Sequence, residues 1–120
     1  MIISYINADV NSKKYIQWEE YLADTFGMFF CKMDDDIKIL TEKNPIIIRD
    51  MINLYKPELF IVNSLKELPF SPTGISELIM FILNKGITFQ SDEELIYFDD
   101  DKDILRVYPI VFNILKNKIK

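Results

Sequence analysis

The chain has 120 residues, of which 49% are hydrophobic and 28% charged, and its formal net charge is −5. This length and composition predict one globular domain over 1–120 and exclude a disordered or collagen-like chain. The sequence contains no histidine and one cysteine, Cys31, which excludes His-based catalytic triads, His-ligated zinc and an internal disulfide. An acidic chain with only two arginines is expected to bind nucleic acid weakly or not at all.

No apolar run reaches the roughly 18 residues that a membrane span needs. Met1 leads into isoleucines without the basic region of a signal peptide. We therefore expect a cytoplasmic protein that makes no membrane contact.

The first forty residues predict a strand, a helix and a second strand. Residues 2–7 form an apolar, β-branched run typical of a buried strand. Asn11 or Ser12 is then placed to cap a helix whose apolar stripe, at spacings of three and four, consists of Tyr15, Trp18, Leu22 and Phe26. Residues 28–32 are apolar and predict the second strand, with Cys31 buried in it. Residues 37–44 fit either a short strand or a loop.

The middle of the chain continues the alternation. Asn44 followed by Pro45 is typical of a helix start, and residues 58–63 form a continuous apolar run that predicts a central parallel strand. Residues 66–74 contain two prolines and a glycine and predict a loop. A further helix is predicted from the apolar stripe Ile75, Leu78, Ile79 and Ile82.

Residues 87–90 predict a fourth strand, residues 95–98 a short fifth one, and residues 103–119 a last helix interrupted by Pro109. Nine of the twelve residues from Ile104 to Leu115 are apolar, so this helix must be covered on more than one side. The alternation predicts an α/β fold in three layers. Its sheet has four to five mainly parallel strands, with helices on both faces.

Polar residues follow two of the predicted strands. Asp9 follows the first and Asn63 ends the third, and the carboxyl ends of parallel strands form the usual crevice of an α/β sheet. One alternative is therefore a receiver-like domain, or an enzyme with an oxygen-ligand magnesium or calcium site, in an Asp9/Asn63 crevice. No Gly-rich phosphate loop occurs, and we interpret the acidic clusters Asp34–Asp36, Asp92–Glu94 and Asp99–Asp103 as solvated turns.

The order of elements and one segment resemble a known family. Gly86-Ile87-Thr88-Phe89-Gln90-Ser91, followed by Glu94 and Ile96, is similar to a stretch in the catalytic domain of the serine recombinases, the resolvases and invertases. The start of the chain, the Asn44-Pro45 helix start and the Val62–Leu65 segment occupy the places of three further family motifs. The resemblance covers nearly the whole chain and implies a resolvase-like fold.

The catalytic positions of that family differ here. The resemblance implies a serine nucleophile and several arginines that bind the DNA phosphate. The residues at the corresponding positions of this chain are Asn7, Asp9, Asn44, Asn63, Ser64 and Glu67. None of them supplies that chemistry, and the two carboxylates repel phosphate. The sequence therefore predicts a degenerate active site and a chain that is not an enzyme, with no cofactor or metal.

The resemblance also implies that the last helix makes a dimer. The predicted interface consists of Ile104, Tyr108, Val111, Phe112 and Leu115. We expect a homodimer, or pairing with a recombinase or a regulator of DNA recombination, in a chain that lacks the family's separate DNA-binding domain. A further alternative is a DNA-associated accessory factor that binds through Lys116, Lys118 and Lys120. The abundance of Ile, Lys and Asn suggests a bacterial or phage source.

Overall fold

The computed structural model describes residues 1–26, 37–99 and 101–116. Within these ranges the chain forms five β-strands and four α-helices, with a short 3₁₀ turn at Leu65–Glu67 and another at Asp101–Asp103. The strands are β1 (Ile2–Tyr5), β2 (Ile37–Leu40), β3 (Leu59–Val62), β4 (Thr88–Ser91) and β5 (Ile96–Phe98). The helices are α1 (Lys13–Phe26), α2 (Pro45–Tyr55), α3 (Pro72–Asn84) and α4 (Ile104–Leu115).

The five strands form one sheet in the order β2-β1-β3-β4-β5. The first four are parallel, and β5 runs antiparallel to β4. In the register of the sheet, Ile2 lies beside Ile37 on one side and Leu59 on the other. The predicted α/β class and mainly parallel sheet are confirmed.

One face of the sheet is covered by α1. Trp18 and Leu22 of this helix are buried against isoleucines of the first three strands. The Trp18 indole N–H donates to Ser4 Oγ at 2.7 Å, and Ser4 Oγ donates to the carbonyl of Ile61 at 2.8 Å. A buried hydroxyl thus ties α1 to two strands and satisfies the indole.

The other face carries the main core, where α2, α3 and α4 pack on the sheet. Phe60, Phe89 and Phe98 come from three adjacent strands and stack in a row, with ring centroids 6.1 and 6.4 Å apart. The predicted three layers are confirmed, with one helix on the first face and three on the second.

Local capping explains where two helices begin. The Asn44 side chain accepts a hydrogen bond from the Ile46 N–H at 2.9 Å, and Pro45 occupies the first turn of α2, as predicted. The Ser71 side chain caps α3 in the same way, so α3 begins at Pro72. The predicted loop over residues 66–74 is wrong at its end, because the Ser71 cap and Pro72 in the first turn start the helix three residues earlier than its apolar stripe indicates.

The second strand of the described residues lies later in the chain than the predicted strand at residues 28–32. The segment 37–44, which fitted a strand or a loop, supplies β2. The strand predicted at 28–32, its Cys31 and the acidic cluster Asp34–Asp36 lie outside the described residues. Among the described helices, none is long and apolar enough to cross a membrane.

Candidate functional site

A crevice of about 540 Å³ opens at the carboxyl ends of β1, β3 and β4. We call it the edge crevice. Its walls are formed by Ile6, Lys14, Gln17, Trp18, Tyr21, Asn63, Glu67, Asp92 and Glu93. The sequence predicted a functional crevice at this edge, because α/β sheets commonly bind ligands at the carboxyl ends of their strands. Three carboxylates and one ammonium group line it, so its charge is negative.

The ammonium group belongs to Lys14 in the first turn of α1. Lys14 Nζ lies 2.8 Å from Glu67 Oε2 and 3.3 Å from the carbonyl of Asn7. Glu67 is 9% exposed, so its carboxylate depends on this partner for charge compensation. Glu67 was predicted to repel a phosphate, but in the folded chain Lys14 neutralises it.

An aromatic pair forms one wall of the crevice. The rings of Trp18 and Tyr21 stack with centroids 5.1 Å apart, and Tyr21 is 42% exposed. The Tyr21 hydroxyl donates to Asp92 Oδ2 at 2.6 Å, and the Gln90 amide donates to Asp92 Oδ1 at 2.7 Å. The hydrogen bond to Asp92 is the largest cause of the raised pKa of Tyr21. These bonds fix the Asp92 carboxylate in place.

A second polar network lies behind the crevice, around Glu94. The Ser64 hydroxyl donates to Glu94 Oε2 at 2.5 Å and the Leu65 N–H donates to Oε1 at 2.9 Å. The Ser91 hydroxyl donates to the same carboxylate. Ser64 also accepts the Lys66 N–H and so caps the 3₁₀ turn.

The interpretation of residues 92–94 as a solvated turn is therefore wrong for Glu94, which joins the ends of β3 and β4. The spacing of three residues from Ser91 to Glu94 is the local sequence signal that could have indicated their contact.

The remaining predicted site residues lie elsewhere. Asn7 and Asp9 line a separate depression beside β2, together with Thr41 and Lys43. The Asn63 side chain lies in the edge crevice, so the structure does not bring Asp9 and Asn63 into one cavity. Among the described residues, no group of three or more Cys, Asp or Glu side chains is placed to hold a metal ion.

A fully buried tyrosine ends β1, next to these depressions. Tyr5 is 0% exposed, and within the described residues its hydroxyl has no hydrogen-bond partner. Burial, together with the nearby carboxylates of Glu67 and Glu42, raises the pKa of Tyr5 to about 12. The hydroxyl therefore stays protonated at neutral pH and is an unsatisfied buried polar group.

The predicted interface residues of α4 divide between two environments. Val111 and Leu115 are at most 1% exposed and pack in the main core of this chain, so they cannot face a partner. Ile104 packs partly against the same core. Tyr108 is 38% exposed and stacks on Phe112, with ring centroids 5.8 Å apart.

Sequence reasoning missed Leu105, which is 87% exposed on the same helix. Its spacing of three and seven residues from Tyr108 and Phe112 places the three on one face. We call Leu105, Tyr108 and Phe112 the outer face of α4.

No protein-family model matches this sequence, and no curated protein matches it. Among solved structures, the chain is similar to a resolvase-family site-specific recombinase from Streptococcus pneumoniae. The two are 16% identical, with a TM-score of 0.50, over 98% of this chain and 89% of the other. At this identity the likeness establishes the fold, which is resolvase-like as the sequence resemblance implied.

The prediction that the chain is not an enzyme is wrong. The solved structure that shares its fold is a site-specific recombinase, which is an enzyme, and nothing in the likeness shows that an active site has been lost. That prediction rested on matching family motifs one residue at a time to positions such as Asp9 and Glu67.

Proposed function

We propose that this chain is a resolvase-like domain that works as a dimer in DNA recombination or its regulation, pairing through the outer face of α4. The observation that carries the proposal is the exposure of Leu105 and Tyr108 on a helix whose opposite side is buried. A large aliphatic and an aromatic side chain, adjacent on one exposed helix face, are typical of a protein contact.

In a symmetric dimer, the outer face of α4 would be buried in each of the two copies. Covering a fully exposed large apolar side chain contributes about 1.5–3 kcal/mol. Leu105 is 87% exposed and Tyr108 38%, so their exposed parts in two copies contribute roughly 4–8 kcal/mol. Association opposes this with at least about 4 kcal/mol of lost freedom of motion. The net gain is then at most about 4 kcal/mol, which corresponds to a weak dimer with a dissociation constant of about 1 mM or above.

The test is the mass of the protein in solution. We expect sedimentation at protein concentrations up to about 1 mM to show the average mass rising from the 14.2 kDa of one chain toward twice that value. Leu105→Asp places a charge in the contact and is expected to give monomers. Leu54→Asp is the matched control, because Leu54 is 70% exposed on α2, and it should leave the dimer intact.

A wild-type monomer at the highest concentration would contradict the proposal, as would a Leu105→Asp variant that still dimerises. If the wild-type chain binds a recombinase or a regulator and the Leu105→Asp variant does not, the outer face of α4 binds that partner instead of a second copy of this chain.

A further inference from the structure

Among the described residues, the part of the sheet formed by β4 and β5 is covered on one face only. Phe89, Ile96 and Phe98 point into the main core, whereas α1 packs on β1, β2 and β3. Gln90 and Tyr97 lie directly opposite each other in the register and point away from the core. In the described part of the chain, no helix packs over this pair.

A groove of about 410 Å³ lies on this uncovered face. We call it the hairpin groove and define it by Tyr21, Gln90, Asp92, Leu95 and Tyr97. It adjoins the edge crevice, with which it shares Tyr21 and Asp92. It opens on the opposite side of the sheet from α4, so it is distinct from the outer face of α4.

Two exposed side chains give the groove apolar contact surface. Leu95 is 90% exposed and Tyr97 is 59% exposed. Leu95 has φ of 58°, a left-handed conformation that is unfavourable for a leucine and that glycine adopts freely. The turn is held in this shape because the Glu93 N–H donates to the Asn63 carbonyl at 2.8 Å and the Asp92 N–H donates to that of Val62 at 3.1 Å.

The charged side chains in the hairpin of β4 and β5 are all negative. Residues 86–99 contain four acidic side chains and no lysine or arginine. Asp92 is held in the groove by Tyr21 and Gln90, and the exposed Glu93 lies next to it. Carboxylates beside exposed tyrosine rings suit a cation, which pairs with the former and stacks on the latter. The same carboxylates repel a nucleic acid backbone.

The groove reaches the edge strand of the sheet, because Ile96 and Tyr97 of β5 line it. β5 is the last strand in the sheet order, and within the described residues no strand pairs with its outer side. An edge strand offers unpaired N–H and C=O groups to an extended peptide.

We propose that the hairpin groove binds an extended segment of another protein that carries lysine or arginine alternating with apolar residues. The segment adds to the edge of β5. Its cations lie at Asp92 and over Tyr97, with their aliphatic stems against Leu95, and its alternate apolar side chains point to the other face of the sheet. This site does not depend on the proposed dimer, because it lies on the other side of the sheet.

The test uses a dye-labelled heptapeptide of alternating lysine and valine, with the glutamate–valine peptide as control, and measures fluorescence anisotropy of the full chain. We expect binding of the lysine peptide only. Tyr97→Ala combined with Asp92→Asn should weaken it about three- to thirtyfold, from the loss of one ion pair and one cation–π contact. Asp50→Asn removes an exposed carboxylate on α2 and should leave the affinity unchanged.

Leu95→Gly separates binding from folding. It relieves the left-handed leucine and should keep the protein at least as stable, while the loss of the side chain weakens peptide binding several-fold. Hydrogen exchange should show the amides of Ile96–Phe98 protected by the peptide.

No binding of the lysine peptide would overturn the proposal. Equal losses in Asp50→Asn and in the groove variant would also overturn it, because they would indicate general attraction to a chain of charge −5. Protection elsewhere, without protection of β5, would do the same. The monomeric Leu105→Asp variant is expected to bind normally, so failure of the dimer and failure of this site are distinguishable.

Discussion

Replacing Tyr5 by phenylalanine is expected to stabilise the protein. The ring of Tyr5 lies in the main core, is 0% exposed and has a hydroxyl without a hydrogen-bond partner among the described residues. An unsatisfied buried hydroxyl costs about 1–3 kcal/mol, because it loses its hydrogen bonds to water on folding and gains none. Tyr5→Phe removes this cost and keeps the ring, so the free energy of unfolding should rise by about 1 kcal/mol or more.

Urea denaturation followed by circular dichroism measures this change, with an unchanged slope showing that the unfolded state is not altered. For a chain of 120 residues, 1 kcal/mol corresponds to a rise of about 4 °C in Tm. Tyr97→Phe is the matched control, since the Tyr97 side chain is 59% exposed, and it should change the stability by less than about 0.5 kcal/mol. Destabilisation by Tyr5→Phe would refute the reasoning, because it would mean that the hydroxyl makes a favourable bond in the folded protein.

The same substitution has a distinct pH signature. The pKa of Tyr5 is raised from 10.0 to about 12, mainly by burial. Because the folded protein disfavours the ionised form of this side chain, ionisation costs no stability below pH 10, and the loss of stability grows as the pH rises from 10 to 12. The wild type should therefore lose up to about 1.4 kcal/mol more than Tyr5→Phe for each pH unit in this window. Parallel stability curves of the two proteins between pH 9.5 and 11 would argue against a buried phenol.

Two further substitutions test the polar contacts. Ser4→Ala leaves the buried Trp18 indole without its acceptor and should lower the free energy of unfolding by about 1–3 kcal/mol. Ser76→Ala is the control and should cost less, because Ser76 is equally buried but its hydroxyl bonds only within its own helix. Equal losses in the two variants would show that the indole bond contributes nothing. Glu94→Ala removes the acceptor of three hydrogen-bond donors and should lower the free energy of unfolding, measured by chemical denaturation, by about 2–3 kcal/mol. Glu93→Ala is the control, because Glu93 is exposed, and it should lower it by less than about 0.5 kcal/mol. Similar values for both variants would contradict a stabilising network around Glu94.

Much of the fold follows from local signals in the sequence. The apolar runs around β1 and β3 predicted buried strands, and the Asn44-Pro45 pair predicted the start of α2. These signals are readable because burial of a strand and capping of a helix depend on residues that are neighbours in the chain. The strand predicted at residues 95–98 is found as β5, but its antiparallel direction depends on the tight turn from Ser91 to Ile96, and the sequence alone did not indicate it.

The candidate site depended on pairs that are distant in sequence. Lys14 and Glu67 are 53 residues apart, Ser64 and Glu94 are 30 apart, and Tyr21 and Asp92 are 71 apart. No periodicity or spacing rule connects such residues, because only the order of the strands in the sheet brings them to one edge.

The sequence by itself determined the α/β class, the strand and helix order, and the apolar character of the last helix. The tertiary structure decided which side of that helix is exposed. Apolar residues occur almost all round α4, so composition did not separate Val111, packed against the sheet, from Leu105, which points outward. The physical reason is that helical periodicity shows only which residues share a face of the helix. Which of these faces is buried depends on where the neighbouring strands and helices lie.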